Sequence, residues 1–180
     1  MEYTIIRSRR KTVAIHITAE GAVQVRCPSR MPKWQIQQFV DSKKSWIEAH
    51  LQKIASRPAQ PKLTQQERNS LAKQAEEDLA QRVARFAPLA GVSCGRITIR
   101  AQRTRWGSCS GKGNLNFNCL LMLAPEAVRD YVVVHELCHR KEMNHSPRFW
   151  QEVEALLPDY RTPRKWLKDN GAALIARLPD

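Results

Sequence analysis

The segment Val132–Trp150, VVVHELCHRKEMNHSPRFW, restricts what this chain can fold into more than any other stretch. His135 and His139 stand four residues apart, so on a helix of 3.6 residues per turn they project from one face, with Glu136 beside them. The β-branched run Val132, Val133 and Val134 makes a poor isolated helix and is acceptable only where packing holds it. The chain must therefore build a core around a helix that also carries ionisable groups. Pro125-Glu126 reads as its start, with proline in the first turn and an acidic residue early. Ser146-Pro147, directly after His145, reads as the start of another helix, and Asn144 is expected to turn the chain there through left-handed backbone angles.

These residue types suit zinc. Neutral imidazole is the metal's usual nitrogen ligand, and a neighbouring carboxylate outside the coordination shell can take a proton from bound water. His135 and His139 are thus candidate metal ligands, Glu136 the candidate catalytic base, and His145 the simplest third ligand. Rival third ligands are Glu142, seven residues after His135 on nearly the same face, and Glu152 and Glu154 on the next helix. Cys138 points about 100° away from His139 on a regular helix and reads as a small core residue. The plain alternative is a helix whose two histidines are satisfied by ordinary hydrogen bonds. Three imidazoles with a fourth position open would make a catalytic zinc site.

At 180 residues and 42% hydrophobic, the chain can bury one good core, or one core plus a small module. No apolar run approaches the roughly 20 residues of a membrane span, and Met1-Glu2-Tyr3 leads into a strand-like segment rather than a secretion signal, so a cytoplasmic protein is expected. Cys27, Cys94, Cys109, Cys119 and Cys138 are scattered and form no C-x-x-C pair, which reads as reduced thiols. The net charge of +13 would draw the chain towards nucleic acid, nucleotides or acidic proteins, although a solvated basic surface is the plainer explanation. Arg7–Lys11, at an expected hairpin turn, and Arg100–Arg105 are the densest basic patches.

Glu2–Ile6, Thr12–Ile17 and Ala22–Cys27 are short strand-like runs, with Glu20-Gly21 the clearest turn, and suggest a small antiparallel sheet. Trp34–Ile54 has helical spacing, and Arg57–Pro61 reads as a linker, dividing the chain into a 1–57 module of strands and helix and a 62–180 module carrying the histidines. Thr64 and Glu67 form a capping-box pattern ahead of a helix over Gln65–Phe86. Arg96–Ala101 reads as a strand, Asn114–Asn118 and Leu120–Leu123 as two strand-like pieces, and Pro147–Leu156 and Thr162–Asn170 as helices, with Gly171 as a stop.

Arg105-Trp106-Gly107-Ser108-Cys109, Leu115-Asn116-Phe117-Asn118, His135-Glu136-Leu137-Cys138-His139 and Asn144-His145-Ser146-Pro147-Arg148-Phe149-Trp150 together resemble the YgjP-like family of predicted zinc metallopeptidases, related to the SprT-like proteins. The similarity extends across nearly the whole length, including the N-terminal strands and Trp46-Ile47. The resemblance implies a zincin-type α+β fold, with His135, His139 and His145 as metal ligands and Glu136 as the catalytic carboxylate. It implies a metal-dependent peptidase. A bacterial relative has been assigned UTP pyrophosphatase activity.

Around this centre, Gly107 is expected to permit a tight turn where a strand ends. Arg103 and Arg105 are candidates to clamp a phosphate or a substrate carboxylate, and the strand Leu115–Asn118, with Asn116, to line the cleft and pair with an extended peptide. Trp106 reads as a core plug. Tyr160 is a candidate oxyanion donor, although with Trp150 and Trp166 it also suits packing of the last helices. Three functions follow: a zinc hydrolase cutting peptides or proteins, a metal-dependent nucleoside triphosphate pyrophosphatase, and a nucleic-acid-associated binding protein with a structural zinc.

Overall fold

The computed structural model describes residues 2–18, 21–56 and 60–179. Glu20 of the expected Glu20-Gly21 turn, and Arg57, Pro58 and Ala59 of the expected linker, lie outside them. The chain is α+β and divides into two compact units, Met1–Gln60 and Pro61–Asp180. No helix among the described residues is long and apolar enough to cross a membrane.

In the first unit the alternation Val23, Val25, Cys27 buries one face of a single strand and identifies it as the sheet's centre. Strands β1 (Thr4–Ser8), β2 (Ala14–Ile17) and β3 (Val23–Pro28) are ordered β1-β3-β2. β2 runs antiparallel to β3, but β1 runs parallel to it, so the sheet is mixed rather than antiparallel. Arg7–Lys11 is correspondingly not a hairpin turn, since its flanking strands lie on opposite sides of β3. Both outer strands pair with the one strand whose buried face needs covering from each side. Gly21, at φ 87°, closes the β2–β3 connection by donating to the carbonyl of Thr18. The expected single helix is two, α1 (Lys33–Ser42) and α2 (Lys44–Ala55). The break falls where Lys43 leaves helical angles and the Ser42 hydroxyl donates back to the Phe39 carbonyl at 2.7 Å. Ile36, Val40 and Ile47 then meet the β3 face in one core.

The second unit is organised by α3 (Gln65–Ala90), which at 26 residues is longer than expected. Its start is the capping box: Thr64 N donates to Glu67 Oε2 at 2.7 Å, and Glu67 N donates to Thr64 Oγ1 at 3.2 Å. Its end is Gly91 at φ 65°, the left-handed residue that lets the last carbonyls find donors. Leu71, Ala75, Leu79, Val83 and Phe86 form its buried stripe. Strands β4 (Ile97–Arg100), β5 (Gly107–Cys109) and β6 (Leu115–Asn118) are ordered β4-β6-β5, with β6 parallel to β4 and antiparallel to β5. Ser108 and Cys109 are the last two residues of β5.

Cys119–Leu123 is a 3-10 helix and not a strand. The Asn118 side chain caps it by accepting from Leu120 N at 3.1 Å, which turns a short apolar run inwards. Helices α4 (Glu126–Cys138), α5 (Pro147–Leu156) and α6 (Arg161–Ile175) follow. α4 packs against α3, α5, α6 and β5, which is why Val132, Val133 and Val134 are all buried although they point in three directions. α6 passes straight through Gly171. A Cβ there would lie 3.1 Å from Trp106 Cζ2, so this glycine provides close approach rather than a stop.

A charge cluster ties α3 to α4. Arg82 bonds Asp78 at 2.7 Å and also Asp130, while Arg129 bonds Asp78 at 2.9 Å. Burial works to raise the Asp78 pKa, but the hydrogen bonds and charges of Arg82 and Arg129 outweigh it and hold the carboxyl below its ordinary range.

Candidate metal and catalytic centre

α4 delivers His135 one turn before its end and His139 at its C-cap, with ring centroids 4.9 Å apart. The chain then reverses over residues 140–145 to bring His145 in front of α5. Asn144 contributes by its side chain, Oδ1 accepting from Ser146 N at 3.0 Å, and not through left-handed angles, since no non-glycine among the described residues has positive φ. Ser146 Oγ caps α5 by accepting from Phe149 N at 3.3 Å. Phe149, fully buried, is the floor against which all three imidazoles pack.

The three rings converge. His135, His139 and His145 each offer one ligand atom, and these atoms lie within 4.8 Å of one another. The Nε2 atoms of His135 and His145 face each other at 3.0 Å. His139 Nδ1 lies 3.0 Å from the carbonyl oxygen of Glu142, so the bond assigns its proton to Nδ1 and leaves the Nε2 lone pair for the cluster. His135 Nδ1 is buried with no hydrogen-bond partner. Burial, and then the charges of His139, His145 and Arg164, push His135 down to about 3; burial first, then His139 and Arg164, also lower His145. Both imidazoles are therefore neutral near pH 7, the form that binds metal.

The rival carboxylates do not join this cluster: Glu152 pairs with Lys141 at 2.6 Å, Glu154 pairs with Arg161 at 2.6 Å, and Glu142 meets His139 through its backbone carbonyl. Cys138 is buried, and burial pushes its thiol up to about 12. The group that could hold a metal is thus three imidazoles, a set of donors that suits zinc better than the oxygen-seeking magnesium or calcium.

Glu136 projects beside this cluster and is nearly buried, at 6% exposure. Burial pushes its carboxyl up to about 8, against a lowering by the charge of Arg105. The β5 backbone passes so close that a Cβ on Gly107 would stand 2.6 Å from Glu136 Oε1 and 2.7 Å from its Cγ. Gly107 is therefore needed for clearance and not for a turn.

Two cavities share Arg105, Gly107, His135 and Glu136 in their linings. One, of about 260 Å³, is walled by Trp106, Tyr131, Val132 and Leu167; the other, of about 240 Å³, by Ser108, Cys109, Met143 and the remaining histidines. Arg105 borders both. Arg103, Asn116 and Tyr160 border neither. Arg103 donates to the Pro179 carbonyl, and Asn116 donates to Ser108 Oγ at 3.2 Å within the sheet. Tyr160 is buried and stacked on Trp150 at 5.4 Å, in a packing position. Trp106 both packs against Gly171 and walls the larger cavity. β6 has neighbours on both sides, so Leu115–Asn118 has no free edge to pair with an extended ligand; the edge strands are β4 and β5, and β5 carries the cavity residues Gly107, Ser108 and Cys109. Sequence reasoning did not single out Tyr131, Val132, Met143 or Leu167 as cleft walls, because nothing in their spacing separates cavity from core.

The family model for the YgjP-like metallopeptidase domain matches residues 11–72 and 60–170. Among solved structures, the metallopeptidase zymogen abylysin of Pyrococcus abyssi is similar at 22% identity and a TM-score of 0.46, over 50% of this chain and 92% of that one. Jannalysin of Methanocaldococcus jannaschii, also a metallopeptidase zymogen, is similar at 19% identity and a TM-score of 0.42, over 50% of this chain and 96% of that one. No curated protein matches the chain.

Proposed function

Because the chain belongs to the YgjP-like metallopeptidase family, we propose that it is a zinc-dependent peptidase in which Glu136 is the general base. The observation that carries this reading is the convergence of three imidazoles beside a nearly buried carboxyl, next to the edge strand β5. His135, His139 and His145 would hold the ion. Zinc bound there supplies a Lewis acid and lowers the pKa of water towards neutrality.

The protein's own groups do the rest. Glu136 accepts a proton from the water that attacks the scissile carbonyl carbon and returns it to the leaving amine nitrogen as the C–N bond breaks. Its raised affinity for a proton suits that shuttle, and a divalent ion held by the three histidines would favour its ionised form. The outer edge of β5 offers backbone groups to an extended chain, which lays one side chain into each cavity. Cavities of about 260 and 240 Å³ each suit one side chain and fall below the usual range for sites that enclose larger ligands.

The test compares zinc-loaded wild type with Glu136→Gln on peptides and unfolded protein. The variant should keep zinc and lose roughly 10²–10⁴-fold in turnover. Wild-type turnover in the variant would contradict the assignment.

A further inference from the structure

The groove holds a positive charge that acts on Glu136 through space but forms no ion pair among the described residues. Arg105 lines both cavities, yet its guanidinium has no hydrogen-bond or ion-pair partner among the described residues. Its neighbour Arg103 is engaged by the Pro179 carbonyl, and the arginines on the back of α4 and α3 are engaged by Asp78 and Asp130. A second cation, Arg164, lies 4.1 Å over the Trp150 ring, and its charge acts on Tyr131, His135 and His145. Among the described residues, Glu136 is the one acidic side chain lining either cavity.

Arg105 is also held in place. Asn118, at 1% exposure, sends its side-chain amide to the carbonyls of Gln102 at 2.6 Å and Arg105 at 2.9 Å, while its backbone N donates to the Trp106 carbonyl at 2.9 Å. A buried asparagine spent on three loop carbonyls fixes where the Arg105 side chain begins. From that anchor Arg105 borders a cavity with an apolar side formed by Trp106, Val132 and Leu167 and a polar side that includes Tyr131, His135 and Glu136. Such a cavity takes a short aliphatic stem along its walls and a planar anion at its charged border.

We propose that Arg105 is a specificity-determining residue that selects substrates bearing a carboxylate next to the scissile bond, supplied by an acidic side chain or by the peptide's own C-terminus. The inference rests on the peptidase reading for the word substrate, but the recognition it describes is measurable without turnover. Arg105 gives the carboxylate two parallel N–H donors, which an amide of the same shape cannot match as an ion pair. Because Arg105 is exposed at the groove, the preference should weaken as salt rises.

The experiment is an NMR titration of the metal-free protein with isosteric pairs: acetyl-Gly-Glu-Gly-amide against its Gln counterpart, and acetyl-Gly-Gly-Gly as free acid against its amide. Wild type should bind at least one carboxylate peptide roughly tenfold tighter than its amide twin, and the pair that discriminates identifies the carboxylate's source. Arg105→Gln should erase the difference, Arg105→Lys should restore part of it, and Arg103→Gln should leave it intact. Equal binding within both pairs, no measurable binding of either carboxylate peptide, or a preference that survives Arg105→Gln would each overturn the proposal. Zinc-loaded protein that cleaves none of a peptide library would remove the peptidase reading while leaving this binding result to stand or fall alone.

Discussion

Gly107→Ala is the smallest change that should disable the centre without touching a charged group. The added Cβ would stand 2.6 Å from Glu136 Oε1 and 2.9 Å from Cδ, whereas ordinary contact begins near 3.4 Å. Relief at Oε1 requires a displacement of about 0.8 Å, shared between a strand backbone and a carboxyl on a helix packed on all sides. Overpacking of this kind costs about 1–3 kcal/mol, a fall in Tm of roughly 2–12 °C. Misplacing a proton-transfer group by about 1 Å costs on the order of 10²-fold in rate. The histidines are untouched, so zinc affinity should be retained. Peptidase kinetics, zinc titration and thermal denaturation of the same preparation test all three parts. Wild-type rate and stability together would refute the argument that Gly107 exists to clear Glu136.

Further consequences concern stability. In metal-free protein the folded Glu136 carboxyl keeps its proton to about pH 8, while the unfolded one loses it near 4.5; between these values the folded state binds more protons, so stability falls as pH rises. The whole effect is on the order of 5 kcal/mol, is absent in Glu136→Gln, and should appear in urea titrations as a gap between variant and wild type that widens from pH 5 to about 8.5; parallel pH profiles would contradict it. His135 acts in the opposite sense, losing stability as pH falls from about 6.5 to 3, and cancels in that comparison because both proteins carry it. Arg82→Met should cost about 2–4 kcal/mol by stranding Asp130 and leaving Asp78 to Arg129 alone, with no change in zinc affinity; a loss of zinc would show the cluster to be part of the site. Thr64→Ala should cost about 1 kcal/mol in chemical denaturation, and no change would mean that the capping box is idle.

What could be read in advance was local. The caps at Thr64 and Ser146 and the bounds of α5 depend on residues within a turn of one another, and the histidine helix announces itself through periodicity. What could not be read depends on partners distant in the chain. β1 joins β3 in parallel across the intervening β2 segment, a choice made by the buried face of β3 and not by any turn between them. Gly107 and Gly171 look like turn and stop residues, yet each makes room, for Glu136 and for Trp106 respectively. Leu120–Leu123 has a strand's composition, and the Asn118 side chain makes it a 3-10 helix. Arg103 and Arg105 are two residues apart and equivalent on paper. The Pro179 carbonyl engages one, while the other borders the groove.

The central claim is that three histidines hold a zinc ion with one position open to water, next to Glu136. X-ray absorption at the zinc edge on loaded wild type, Glu136→Gln and His145→Ala tests it directly. One zinc per chain is predicted, with three imidazole nitrogens and a non-protein oxygen in wild type, unchanged nitrogen coordination in Glu136→Gln, and sharply weakened binding in His145→Ala. Four protein ligands in wild type, or undiminished zinc affinity in His145→Ala, would contradict it.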